Sequence, residues 1–151
     1  MPTAAEQLRN DPHIDTIQRY YRACTAGDVD GVVACCTADV TQYMLEPGAA
    51  PVHGAEHLGR FWRKTVRIIS AEWNVEHAIA CDDEAVIEWS MRWTSTQDGQ
   101  RYIVHGAEWY VFKGGLISEI RAYYRHRSPE DTGLDGFPYA ERGYSVINRT
   151  S

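Results

Sequence analysis

The stretch EAVIEWSMRWT, residues 84–94, alternates without a break. Ala85, Ile87, Trp89, Met91 and Trp93 fall on one side of an extended chain, and Val86, Glu88, Ser90, Arg92 and Thr94 on the other. A period of two marks a strand with one buried face. This run belongs to a strand segment expected over 84–96, and three further segments of similar character, 72–81, 101–113 and 116–127, are set off by the turn signals DD (82–83), QDG (97–99) and KGG (113–115). Four strands joined by such short turns predict an antiparallel meander.

Upstream the period is helical. From His13 to Ala26 the side chains Ile14, Ile17, Tyr21 and Cys24 recur at three- and four-residue steps, the spacing of one helix face. Gly27 suits a C-terminal cap, and Asp28 an N-cap for a second short helix through Val32, Val33, Cys35 and Cys36. VTQYML (40–45) is rich in strand formers, and EPGAAPVHG (46–54) reads as a loop. A third helix is expected over about 55–69, with Leu58, Phe61, Trp62, Thr65 and Ile69 on one face. Three helices and then a meander indicate an α+β domain, with the helices packed on one face of a curved sheet.

The chain has 151 residues, 44% of them apolar and 24% charged. That suits a single domain with a sizeable core, spanning 1–127. The remainder, 128–151, is turn-rich with interleaved aromatics, and reads as a lid, a dimer arm or a disordered end. No apolar run reaches the roughly 18 residues of a membrane span. The N-terminal residues lack the pattern of a secretory signal, so a cytoplasmic protein is expected. A net charge of −6 with dispersed Lys and Arg argues against nucleic acid or an anionic membrane as partner. The four cysteines form no C-x-x-C pair and read as reduced thiols. Neither a metal-ligand spacing nor a nucleotide-binding loop is present, and no cofactor is expected.

One residue stands out in HGAEWYVFKGG (105–115). Glu108 sits among apolar neighbours, where a carboxylate must be exposed, paired or protonated. Strand alternation that turns Glu108 inward also turns in Val104, Gly106, Tyr110 and Phe112, and sends Ile103, His105, Ala107, Trp109 and Val111 outward. Both faces are then apolar, which calls for cover on both. A register shift of one residue would instead pair Glu108 with Arg92 or Arg121.

QRYYRACTAGDVDGVVACCTADV (18–40), DDEAVIEWSMRWTSTQDG (82–99) and EWYVFKGGLISEIRAYY (108–124) together resemble the nuclear transport factor 2-like superfamily. The resemblance is to its SnoaL-like and ketosteroid isomerase-like branch. It implies a cystatin-like α+β roll: a cone-shaped, curved antiparallel sheet whose concave face, closed by three N-terminal helices, makes a deep apolar pocket. It implies a homodimer through the convex face. It also implies a cofactor-independent isomerase or cyclase that abstracts a proton and stabilises an enolate, acting on a hydrophobic carbonyl compound of steroid, polyketide or terpenoid type.

By position, the resemblance makes Tyr20 and Glu108 the enolate's hydrogen-bond donors. It puts Trp89, Met91, Trp93, Ile120, Ala122 and Tyr124 on pocket-lining positions, and Trp62 and Tyr110 join them from the residue pattern. The family's Asp-Pro base is not matched in register; Glu46-Pro47 takes its place after a shift of one or two residues, with His53 and His77 as the other candidate bases. Tyr20 also reads as a core tyrosine, and Glu46 and His53 as loop residues. A dehydratase of the scytalone dehydratase type would use His77 with Glu108. The Asp-Arg-Asp cluster of limonene-epoxide hydrolases is not matched, since Trp89, Met91 and Ala122 stand there. A non-catalytic small-molecule-binding or dimerisation module is the competing reading.

Overall fold

The structure, a computed structural model, describes residues 11–46, 48–125 and 129–145. Helix α1 (Pro12–Ala26) starts where the Asp11 side chain accepts from the backbone N–H groups of His13 and Ile14, with Pro12 in the first turn. This satisfies donors that the helix itself leaves free. It ends at Gly27, whose φ of 66° closes the last turn in the left-handed region. Asp28 then caps α2 (Val29–Cys35) by accepting from Gly31.

Strand β1 runs Cys36–Met44, so Cys36 opens the strand instead of closing the helix. The first strand is thus longer than VTQYML alone suggests, because a two-turn helix ends once the buried side of Val32 and Cys35 is covered. A short β2 (Val52–His53) and α3 (Ala55–Ile69) come next, then β3 (Glu72–Cys81), β4 (Glu84–Thr94), β5 (Arg101–Lys113) and β6 (Leu116–Tyr124). The fold is α+β: three helices against a curved, unclosed six-stranded sheet of order β2-β1-β6-β5-β4-β3.

The meander β3 to β6 is antiparallel as expected, but β1 lies parallel to β6, with Gln42 opposite Ile120 and Met44 opposite Ala122. The sheet is therefore mixed. The reason is topological: the chain crosses from β1 through α3 to the far edge and returns strand by strand, reaching β1 in the same direction. The core fills the concave side, where Ile17, Val32, Val40, Leu58, Ile87, Ile117 and Ile120 are almost wholly buried.

The segment after β6 covers the other face. Thr132 continues the sheet edge beyond Tyr124, its N–H donating to Ile103 O and its carbonyl accepting from His105 N. Asp131 accepts from Ile103 N at 2.8 Å. The chain then crosses the convex side: Tyr139 stacks on His105 with ring centroids 4.1 Å apart, and Ser145 reaches Glu76 on β3. Phe137, Tyr139 and Tyr144 form an aromatic cluster there. Residues 126–128 and 146–151 of the expected lid or arm lie outside the described residues, as does Pro47.

Cysteines 24, 35 and 36 are buried free thiols and Cys81 is an exposed one. Among the described residues no helix is long and apolar enough to cross a membrane.

Candidate active site

A cavity of about 200 Å³ opens between the concave face and the helices. Its walls are chiefly aromatic: Phe61 and Trp62 from α3, Trp73 from β3, Trp89 from β4 and Tyr124 from β6. Cys24 of α1, Thr65 and Ile69 of α3, Met44 of β1, Met91 of β4 and Ala122 of β6 complete this part of the lining. Glu108, Gln42, Tyr20 and Tyr21 supply the polar part of it, and Glu46 follows β1 as the second carboxyl group of the lining.

Glu108 is only 6% exposed. Its Oε1 accepts from the Tyr110 hydroxyl at 3.0 Å and from the Tyr21 hydroxyl. Its Oε2 accepts from Gln42 Nε2 at 3.4 Å. Gln42 Oε1 accepts in turn from Tyr20 at 3.2 Å, and Tyr20 accepts from Trp62 Nε1 at 2.8 Å. The chain of bonds thus runs from α3 through α1 and β1 to β5. Burial raises Glu108 to a pKa of about 7, against the lowering effect of the two tyrosines. Burial likewise holds Tyr20, Tyr21 and Tyr110 far above the usual tyrosine range, so all three are neutral donors. Tyr124 is pushed to about 12 by burial and then by the charges of Glu46 and Glu108.

Of the three escapes open to a carboxylate in an apolar strand, exposure does not apply, since Glu108 is buried and held by Tyr21, Tyr110 and Gln42, and burial favours its protonated form. The arginines are elsewhere: Arg121 pairs with Glu119 and lies 5.6 Å over the Trp109 ring on the convex face, and Arg92 is exposed.

Tyr20, Glu46, Glu108, Trp62, Trp89, Met91, Ala122 and Tyr124 are brought together around the cavity. Trp93, Tyr110 and Ile120 are buried but do not line it; Trp93 packs on Tyr102 at 5.6 Å, and Tyr110 acts from behind Glu108. Two candidate bases stand apart. His53 is exposed on β2, bonded to Thr41 Oγ1 at 3.0 Å. His77 lies opposite Glu88, on the convex side. A regular β3 would have turned His77 inward with Trp73 and Val75, but a bulge between Val75 and His77 shifts the phase, and Ala78 takes the inward place.

Gln42 and Tyr21 were not singled out as chemical groups by the sequence. The signal for Gln42 was present: it is in phase with Val40 and Met44, a lone polar side chain on the buried side of its strand, as Glu108 is on β5. Two such residues on paired or near-paired strands are candidates to satisfy each other. No group of three or more potential metal ligands occurs among the described residues.

The model of the SnoaL-like domain matches residues 17–120. The chain belongs to the SnoaL-like domain family. Solved structures agree on the fold of this SnoaL-like domain. A protein of unknown function with a cystatin-like fold from Methylobium petroleophilum PM1 is 28% identical over 91% of this chain and 93% of its own, with a TM-score of 0.67. A putative SnoaL-like polyketide cyclase from Jannaschia sp. CCS1 is 16% identical over 75% and 85%, with a TM-score of 0.64. A protein with a ketosteroid isomerase-like fold from Catenulispora acidiphila, in complex with trimethylamine, is 19% identical over 73% and 85%, with a TM-score of 0.66. No curated protein matches the sequence.

One glycine shapes the wall of the SnoaL-like cavity. At Gly106 a Cβ would stand 2.5 Å from Trp89 Cζ2, 2.7 Å from its Cε2 and 2.9 Å from Tyr124 Cβ. The missing side chain lets the indole lie across β5. Gly106→Ala should displace Trp89 and cost roughly 1–3 kcal/mol of stability, measurable by urea titration; an unchanged midpoint would show that the ring has another place to go.

Proposed function

We propose that the protein is a cofactor-independent isomerase or cyclase acting on a hydrophobic, carbonyl-bearing small molecule of steroid, polyketide or terpenoid type. The observation that carries this reading is the place of Glu108: a buried carboxyl group at the polar side of an aromatic cavity, where burial raises its pKa to about 7. Its Oε1 already accepts two hydroxyls and its Oε2 an amide. A proton on Oε2 is then left to point at a ligand. A neutral carboxylic acid serving as an oxyanion donor is already known from ketosteroid isomerase, and the reading here is by analogy to that enzyme.

In the proposed reaction Glu46 removes an acidic proton beside the carbonyl. The C–H electron pair moves into the enolate, whose oxygen takes a hydrogen bond from Glu108. Return of the proton at another carbon gives an isomer, and attack of the enolate carbon on a second carbonyl gives a ring. Tyr20 acts through Gln42, because its own proton is given to Gln42 Oε1. The aromatic lining excludes water from the enolate. A dehydratase using His77 loses its support, since that ring faces away from the cavity.

The test needs no knowledge of the natural substrate. α-Tetralone, a flat bicyclic ketone, is incubated in D2O with the protein, and exchange of the protons beside its carbonyl is followed by NMR. Faster exchange with the wild type, lost when Glu46 or Glu108 is replaced by Ala, is the expected result. If the protein binds the ketone without accelerating exchange, it is a binding module.

We also propose a homodimer through the convex face. Tyr43, Ile79, Trp109 and Tyr123 are exposed there, beside the part that residues 129–145 cover, and such a patch calls for a partner. Sedimentation equilibrium should give twice the chain mass, and Tyr123→Glu should halve it; a monomeric wild type overturns this.

A further inference from the structure

Three tyrosines line the cavity, and two of them are committed. Tyr20 gives its proton to Gln42, and Tyr21 gives its own to Glu108. Tyr124 is the third. Among the described residues nothing bonds its hydroxyl, yet that oxygen does not fall with the buried polar atoms that lack a partner, so it keeps surface of its own. The residue as a whole is half-buried.

The strands determine what stands beside it. Met44, the last residue of β1, pairs with Ala122 of β6, and Ala122 pairs with Glu108 of β5. Tyr124 follows Ala122 by two residues, which puts it on the same face of β6. Glu46 follows Met44 by two residues, and β1 and β6 run in the same direction. Tyr124 and Glu46 thus lie at the same end of that strand pair, with Glu108 diagonal to Tyr124 and further in. Burial first, then the charge of Glu46, then that of Glu108, pushes Tyr124 up to about 12. The hydroxyl is therefore a neutral, uncommitted donor within electrostatic reach of both groups that the proposed reaction uses. An isomerase needs a donor at the enolate oxygen, and Glu108 fills that place. A donor on the side of the base has a use where a second oxygen gathers charge.

We propose that Tyr124 is a catalytic residue, the acid that protonates a second carbonyl oxygen as the enolate carbon closes a ring, and that the substrate is accordingly a diketone. This deepens the isomerase or cyclase reading, rests on it, and selects the cyclase. Glu46 takes the C–H proton, and the C–H electron pair enters the enolate held by Glu108. The C=C pair of the enolate forms the new C–C bond to the second carbonyl carbon, whose π pair moves onto its oxygen. That oxygen takes the proton of Tyr124, and the tyrosinate regains one from Glu46, by then a carboxylic acid. The diketone becomes a cyclic hydroxyketone of the same formula, and no other reactant is consumed.

The test uses 2,6-heptanedione in D2O. The molecule is symmetrical, so either carbonyl can meet Glu108, and attack of a terminal carbon on the far carbonyl gives a six-membered ring. NMR reads two rates in one sample: deuterium uptake beside the carbonyls, and formation of 3-hydroxy-3-methylcyclohexanone. The wild type is expected to accelerate both. Tyr124→Phe keeps the ring and removes the proton, so it should slow ring closure about 10²-fold while leaving deuterium uptake within about twofold. That retained uptake also shows the variant to be folded. A wild type that takes up deuterium without closing the ring overturns this proposal and leaves the proton-abstraction reading standing. So does a variant that closes the ring at the wild-type rate, or one that loses both rates together with an unchanged circular dichroism spectrum. A wild type that promotes no deuterium uptake overturns both.

Discussion

Replacing Glu108 by alanine should lower the proton-exchange activity about 10²- to 10³-fold, the usual loss when one oxyanion donor is removed. Glu108→Gln should cost less. The new amide oxygen can take the two tyrosine hydroxyls that Oε1 takes now, and its NH2 can present a hydrogen to the cavity. Gln42 must then turn its amide so that its oxygen meets that NH2, which leaves its own NH2 facing Tyr20, whose hydroxyl can accept. If Glu108 were itself the group that takes and returns the proton, both variants would be equally dead. The comparison therefore separates donor from base, and exchange rates measured by NMR decide it. The pH profile supplies a second reading: with a pKa of about 7, the neutral donor disappears as pH rises through neutrality, and activity should fall with it. A rise instead would make the ionised form the active one.

The same group should make stability fall with pH. Glu108 has an ordinary value of 4.5 when unfolded and about 7 when folded. Below pH 4.5 both states hold the proton, and the group is neutral to stability. Between 4.5 and 7 the unfolded chain releases its proton and the folded one does not, so unfolding is increasingly favoured. Above 7 the penalty is complete, at about 3 kcal/mol. Glu108→Gln has no such titration. Urea unfolding of both proteins at pH 5 and pH 8 cancels the other carboxylates, and the variant should gain about 2.5 kcal/mol on the wild type between the two, part of the penalty being present already at pH 5. An unchanged difference would mean that the folded carboxyl titrates normally.

The strands were legible because alternation is a local property: 72–81 and 101–113 agree with the sequence segments to the residue, while the segments expected over 84–96 and 116–127 end earlier, at Thr94 and Tyr124. Caps Gly27 and Asp28 were legible for the same reason, since each acts on its own neighbours. The β3 bulge was not, because an inserted residue leaves the apolar pattern almost intact while reversing the facing of every later residue in the strand. That single irregularity removed His77 from the site. The direction of β1 was hidden too, since pairing between strands so distant in the chain leaves no local mark. Glu108 could be picked out as an anomaly, and Gln42 left a similar mark on β1, but Tyr21 sits in an ordinary apolar helix stripe, and only the packed structure selects it as a partner.

The parallel contact of β1 with β6 joins the start of the sheet to its last long strand. Gln42 and Glu108 can bond only once the meander has folded back on β1, so the polar cluster is among the last features the chain can assemble. Contacts this distant in sequence are slow to form. Until β6 emerges and docks, β1 presents an unpaired edge, which is the kind of surface on which chains aggregate. For a protein synthesised from its N-terminus, the final third of the chain is therefore what protects the first, and premature termination before β6 would leave a sticky strand and no cavity.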